Sequence, residues 1–178
     1  MATMRSKRTL DYKKLYDSIY SEFPNYGDLN HGKGAASIIN DYQFNKVLEL
    51  GCGDKSWLGM LDAKYKIGVD VSSRQADYNL DITKGLPFHD NSFDLIGCFD
   101  VMEHLEQRHI EQTLAEMFRV SHTAVFSISY QMSNYGLTHA FDLHATIKPE
   151  EWWLSVIKNA GYELNSKRLN KYLIFGDL

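Results

Sequence analysis

Apolar and polar positions follow two different rhythms along the chain. In residues 10–21 (LDYKKLYDSIYS) apolar or aromatic side chains recur at i, i+3 and i+4, which brings Leu15, Ile19, Tyr12, Tyr16 and Tyr20 onto the faces of one predicted helix. FPNYG reads as a turn, and residues 31–40 as a second short helix weakened by Gly32 and Gly34. Further on the rhythm shortens. KVLELGCG, YKIGVDV, ADYNLDIT, FDLIGCFDV and HTAVFSISY are apolar runs of strand length. Among them SWLGMLDA and residues 104–119, with Ile110, Leu114, Met117 and Phe118 on one face, keep helical spacing. After them comes a helix in EEWWLSVIKNAGY, closed by Gly161, and then YELNSKRL and KYLIFGDL as a hairpin. Alternating strands and helices predict an α/β fold: a seven-stranded, mostly parallel sheet with one antiparallel edge strand and helices on both faces.

No repeat and no linker rich in Pro, Gly or Ser interrupts this pattern, so one domain is expected. With 44% hydrophobic and 24% charged residues, the 178-residue chain is neither disordered nor fibrous in composition. No apolar run approaches the ~18 residues of a membrane span, and MATMRSKRTLDYKK lacks the apolar core of a signal peptide. Cys52 and Cys98 are too few for a disulfide framework, and a reducing, cytoplasmic setting is expected. Charge is uneven. Arg5, Lys7, Arg8, Lys13 and Lys14 face one acid, Asp11, at the N-terminus, while the whole chain carries −4. This basic arm is either a solvated terminus or a contact for an anionic partner such as nucleic acid. A pI near 5.9 opposes a body-wide nucleic-acid surface.

The sharpest chemical signal is the turn after the first strand. In VLELGCG, Gly51 and Gly53 permit close approach of backbone to a ligand, and the following helix aims its N-terminus there. A bare GxG is equally a sharp turn. Gly68-Val69-Asp70, however, ends the second strand with a carboxylate suited to ribose hydroxyls. Asp81 ends the third strand and can face an adenine amino group. Two acids on successive strand ends after GxG favour a nucleoside cleft over two turn formers. Ser56 stands where GxGxxG closes with Gly or Ala, which disfavours nicotinamide hydride chemistry.

Through VLELGCG, GVD, NLDIT, LPFHDNSFDLIGCFDVMEHL and the helix ending in FRVS, residues 40–175 resemble the class I S-adenosylmethionine-dependent methyltransferases, as a small single-domain member with a Rossmann-like fold. The resemblance implies an N-terminal helical lid or arm over residues 1–40 and a core over 41–178. It implies S-adenosyl-L-methionine as the cofactor. Glu49, Gly51, Cys52 and Gly53 would wall its methionine end, and Asp70, beside Val71, would hold its ribose. Asp81 and Ile82 would lie at the adenine, and Phe99 and Asp100 beside the methionine moiety. Lys55 departs from the pattern, standing where many relatives carry a third Gly.

Asp100, Glu103 and His104 have the i, i+3, i+4 spacing that gathers side chains on one side of a helix start. Acids there suit the helix dipole, and an acid–His pair of this kind braces neighbouring loops in the group without any metal. The expected metal content is therefore none. The alternative is a divalent-ion site from Asp100, Glu103, His104 and His144 or His139. That set resembles those of ubiquinone-pathway O-methyltransferases and small-RNA 3′-end ribose methyltransferases.

Residues 131–148 lack periodicity, follow the fifth strand directly and so reach the carboxyl edge of the sheet. His144 and His139 in this stretch, and His104, are candidate bases for an acceptor hydroxyl, against a structural role bonded to a backbone carbonyl. Of the adjacent Trp152 and Trp153, one is expected in the core, and the N-terminal tyrosines are expected chiefly to pack. The expected reaction is methyl transfer to a hydroxyl, or amine, of a small-molecule metabolite or saccharide. The rivals are metal-dependent methylation of a ribose 2′-hydroxyl at an RNA end, using the basic arm, and a non-catalytic S-adenosylmethionine-binding partner protein.

Overall fold

The computed structural model describes residues 11–23, 26, 32–133, 142–165 and 172–176. Its helices are α1 (Tyr12–Glu22), α2 (Lys33–Ile39), α3 (Ser56–Gly59), α4 (Gln107–Val120) and α5 (Glu150–Asn159). Its strands are β1 (Lys46–Leu50), β2 (Tyr65–Asp70), β3 (Tyr78–Asn79), β4 (Leu95–Phe99), β5 (Ala124–Ser127) and β6 (Leu173–Phe175). They form one sheet in the order β3-β2-β1-β4-β5-β6, parallel except for β6.

The two-residue period of each strand divides the core in two. Leu48 and Leu50 of β1, Ile96 and Cys98 of β4, Ala124 and Phe126 of β5, and Leu173 and Phe175 of β6 meet α4 and α5 on one face. Val47, Leu95, Phe99, Val125 and Ile174, one residue out of phase, meet α2 and α3 on the other. Gly97 supplies no side chain to this second face, and Trp57 of α3 fills the gap: a Cβ at Gly97 would come within 2.5 Å of the indole. On the first face Ile110, Leu114 and Met117 of α4 are completely buried at helical spacing. Trp153 of α5 is likewise completely buried, whereas Trp152 lies under the Lys148 ammonium, 5.7 Å from its ring centre. Arg119 ties the end of α4 to the preceding loop, donating to Glu116, Asp90 and the carbonyls of Leu86 and Phe88.

Four elements differ from the pattern-based expectation. Six strands are described where seven were expected. In place of the hairpin's first strand, Leu164 makes a single antiparallel bridge to Phe175, flanked by Asn165 N–H to the Ile174 carbonyl and Gly176 N–H to the Glu163 carbonyl. Residues 166–169, the rest of that expected strand, lie outside the described residues, as do the arm residues Arg5, Lys7 and Arg8, and His139. Strand β3 shrinks to two residues because the Asp77 carboxylate, rather than a strand carbonyl, accepts the Gly68 amide at 2.7 Å. Helix α3 ends after one turn. The helix expected from residue 104 starts at Gln107. Ahead of it, Met102–His104 form a single 3-10 turn and Leu105 is extended. The Thr146 amide takes the Glu103 carbonyl (2.9 Å) and the Thr146 hydroxyl takes that of Leu105 (2.6 Å), so neither serves a helix. Among the described residues no helix is long and apolar enough to cross a membrane.

Candidate active site

From β1 the chain moves outward one way to β2 and β3, then crosses to β4 and β5 on the other side. Open α/β sheets bind ligands at the carboxyl ends of the strands beside such a switch point. The chain leaves β1 there through Gly51 and Gly53, both with positive φ (70° and 50°). A side chain at Gly51 would drive a Cβ to within 2.2 Å of Val101, so the turn needs glycine there for space as well as conformation. Lys55, the departure from the family pattern, keeps the left-handed backbone a third glycine would supply (φ 62°). Its ammonium reaches Asp77 at 2.6 Å, which ties this turn to the residue just before β3.

Asp70 closes β2, nearly buried, and is held by backbone amides: Gly53 N–H donates to one oxygen (3.2 Å), Ser72 N–H and Ser73 N–H to the other (2.9 and 2.8 Å). The DVSS sequence builds this Asx-type turn, and the Ser73 hydroxyl donates to the Gly53 carbonyl at 2.5 Å. The Asp70 carboxylate is thereby fixed with its acceptor face at the rim of the glycine turn. Asp81 caps the turn that follows β3, accepting from the Thr83 hydroxyl and amide and pairing with Lys84 at 3.0 Å. Glu49, on β1, is 5% exposed, and burial followed by the charges of Asp54 and Asp70 raises its pKa well above the usual carboxylate range. Its Oε2 accepts no hydrogen bond from the described protein atoms.

After β4, Asp100 adopts a left-handed backbone (φ 51°) and accepts from the Ser127 hydroxyl at 2.9 Å. Glu103 is completely buried and accepts the Ser129 amide at 2.7 Å. His104 Nδ1 lies 2.8 Å from the Tyr16 hydroxyl of α1. Burial, with His144 next in effect, pushes its pKa down to about 3, so the ring is neutral. His144 Nδ1 is 2.5 Å from the Gln131 carbonyl, to which it donates. Glu103, His104 and His144 present ligand atoms that all lie within 4.8 Å of one another. Asp100, the remaining member of the sequence-derived metal set, stands outside this group.

One cavity of about 500 Å³ takes in all of these features. Every residue that the resemblance implied for the cofactor lines it: Glu49, Gly51, Cys52, Gly53, Asp70, Val71, Asp81, Ile82, Phe99 and Asp100. His104 and His144 line it as well. So do Tyr12, Tyr16, Tyr20 and Tyr26, which pattern reasoning had taken chiefly for packing residues. Tyr12 is buried in the core, yet its hydroxyl also accepts the Glu106 amide at 2.7 Å. Burial raises the pKa of Tyr26 to about 12 and that of Tyr16 well above the ordinary phenol value. Trp152 is not among the lining residues. Sequence reasoning also missed Ser129 and Gln131, whose backbone groups orient Glu103 and His144. The signal was there in the aperiodic stretch after β5, but backbone partners leave no mark on residue type.

S-adenosylmethionine fits these residues on two counts. A buried Glu49 oxygen without a partner suits a cationic amine, and an amide-fixed Asp70 at the second strand end suits a ribose diol. Comparison with known proteins agrees. The family described as "Methyltransferase domain" matches residues 48–124. A curated relative, the probable pectin methylesterase CGR3 of Arabidopsis thaliana, is 25% identical over 96 residues; the match covers 52% of this chain and 37% of that protein. The putative methyltransferase solved in complex with the Haloferax volcanii Trm112 activator superimposes with a TM-score of 0.65 at 14% identity, over 89% of this chain and 79% of its own. A TehB-like S-adenosylmethionine-dependent methyltransferase from Corynebacterium glutamicum gives 0.56 at 19% identity, over 92% and 96%. Residues 48–124 thus match the methyltransferase-domain family, and the chain shares the fold of the methyltransferases superimposed on it.

Proposed function

We propose that the protein transfers a methyl group from S-adenosylmethionine to a hydroxyl, or amine, of a small metabolite or saccharide, with His144 as the acceptor-side base. The observation that carries this reading is the set of residues that one cavity brings together. The glycine turn, Asp70 and Glu49, whose Oε2 has no partner among the described protein atoms, line it together with His144, whose Nδ1 is held by the Gln131 carbonyl. When bound, S-adenosylmethionine supplies an electrophilic methyl group on a sulfonium. The protein's part is binding and alignment, which make the largest contribution to such a transfer. Asp70 orients the ribose, Glu49 meets the ammonium, and Asp81 lies at the adenine side. His144 Nε2 takes the acceptor's proton, while the Gln131 carbonyl keeps its own proton on Nδ1 and steadies the ring. His104 is the weaker candidate, because burial holds its pKa near 3 and Tyr16 occupies Nδ1. Residues 1–40 act as an arm over a core of 41–178, a division supported by the α1 tyrosines in the cavity wall. The two buried free thiols, Cys52 and Cys98, suit a cytoplasmic setting.

A panel of hydroxylated acceptors, read by S-adenosylhomocysteine release, tests this. His144→Ala should lower turnover by about 10²-fold while leaving cofactor affinity in place. Undiminished turnover would return His144 to a structural role. The proximity of Glu103, His104 and His144 favours a second reading, metal-dependent methylation of an RNA-end ribose. Activity abolished by a chelator and restored by a divalent ion would select it.

A further inference from the structure

The turn that carries Asp70 is held from three directions, and one of them is the N-terminal helix. From the glycine turn, the Gly53 amide donates to one Asp70 oxygen at 3.2 Å, and the Gly53 carbonyl accepts the Ser73 hydroxyl. From β3, the Asn79 side-chain amide donates to the Ser73 carbonyl at 2.8 Å. From α1, the Asp17 carboxylate accepts the Ser72 hydroxyl. Ser72 is also one of the two residues whose backbone amides hold the other Asp70 oxygen, at 2.9 Å. It thus stands between Asp17 and Asp70, bonded to the first through its side chain and to the second through its backbone. Lys13, one helical turn back, holds the Asp17 carboxylate with its ammonium at 2.8 Å. The same helix is anchored to the loop after β4, where the Tyr12 hydroxyl accepts the Glu106 amide at 2.7 Å. The mechanism above gives Asp17 no part, yet a carboxylate binds a diol best when its own geometry is fixed beforehand.

We infer that Asp17 is a positioning residue for the cofactor's ribose: it fixes Ser72, whose amide fixes Asp70, so that docking of α1 completes the ribose site. The inference deepens the proposed function and rests on its reading of Asp70 as the ribose acid. It makes the N-terminal helix a working part of cofactor recognition, because Asp17 is carried by α1 while Ser72 and Asp70 belong to the end of β2 and the turn after it. Asp17 is exposed and Ser72 is only partly buried, so truncating either leaves the buried core intact.

Calorimetry with S-adenosylhomocysteine and its 2′,3′-dideoxy analogue, which lacks only the ribose hydroxyls, tests this. The wild type should prefer the diol. Asp17→Ala and Ser72→Ala should each weaken S-adenosylhomocysteine by about 3- to 10-fold, the effect of one hydrogen bond, and leave the dideoxy analogue unchanged. The double variant should lose no more than either single one, because both break the same bond. Asp17→Asn keeps an acceptor for the Ser72 hydroxyl and should bind as the wild type does. A general loosening of the fold would weaken both ligands alike, and that result would overturn the inference, as would full affinity in both alanine variants. The two substitutions lie on different elements, so misfolding of one leaves the other to decide. Asp70→Ala separates the inference from the reading it rests on. A wild type that does not bind S-adenosylhomocysteine or is indifferent to the diol, or an Asp70→Ala protein as selective as the wild type, refutes the ribose assignment itself. A diol preference lost in Asp70→Ala but kept in Asp17→Ala and Ser72→Ala refutes the role of Asp17 alone.

Discussion

At the residue scale, Glu49 shows most clearly how the site trades stability for binding. A buried carboxylate with one unpartnered oxygen penalises its charged form, and its pKa rises. A raised folded-state pKa contributes stability that is present below the ordinary carboxylate value and lost as pH climbs through the folded value. Glu49→Gln should therefore raise the Tm of the ligand-free protein at pH 8, with a smaller gain at pH 5. The same substitution should weaken S-adenosylmethionine by about 1–3 kcal/mol, the cost of a lost charge-assisted hydrogen bond. Thermal melts at the two pH values and calorimetry check both halves. An equal Tm difference at pH 5 and pH 8 would contradict the assignment of the strain to the Glu49 charge. Residue type alone flagged Gly51, Gly53, Asp70 and Asp81, because glycines and acids at strand ends each leave a compositional mark, and Glu49 came from the family resemblance. The roles of Tyr16, Ser129 and Gln131 were hidden, since they follow from which backbone or ring faces them in space.

At the element scale, periodicity revealed α1, α2, α4, α5, β1, β2, β4 and β5, whose buried faces repeat regularly. It failed where side chains take over backbone bonds. Asp77 replaces a strand partner and shortens β3, and Thr146 diverts two carbonyls and delays α4. It also could not show that Lys55 would hold a left-handed turn, which depends on Asp77 being across from it. The Arg119–Glu116 pair makes a further prediction at this scale. The Arg119 guanidinium, then the Leu86 amide, lower the Glu116 pKa to about 2. A depressed carboxylate contributes stability above its ordinary value that is lost as pH falls through the folded one. Glu116→Gln should thus cost about 1 kcal/mol at pH 7, after solvent screening is allowed for, and the gap to wild type should close between about pH 4.5 and 2. Urea titrations across that range measure it, and a gap that persists undiminished at pH 2 would sink the argument.

At the scale of the whole molecule, strand order turns scattered sequence signals into one site. Because β1 lies between β2 and β4, the glycine turn, Asp70 and Asp100 converge at one edge of the sheet, and the loop after β5 brings His144 to the same cavity. The sequence predicted this edge from alternation alone. It could not say how the N-terminal helix is placed, because nothing in a stripe of tyrosines distinguishes packing from lining a cavity. The central claim is that this cavity is built for S-adenosylmethionine. Calorimetric titration of the wild type and Asp70→Ala with S-adenosylmethionine and S-adenosylhomocysteine tests it most directly. The account predicts micromolar binding of both ligands by the wild type and a loss of about 1–3 kcal/mol in Asp70→Ala. No binding of either ligand by the folded wild-type protein would contradict it.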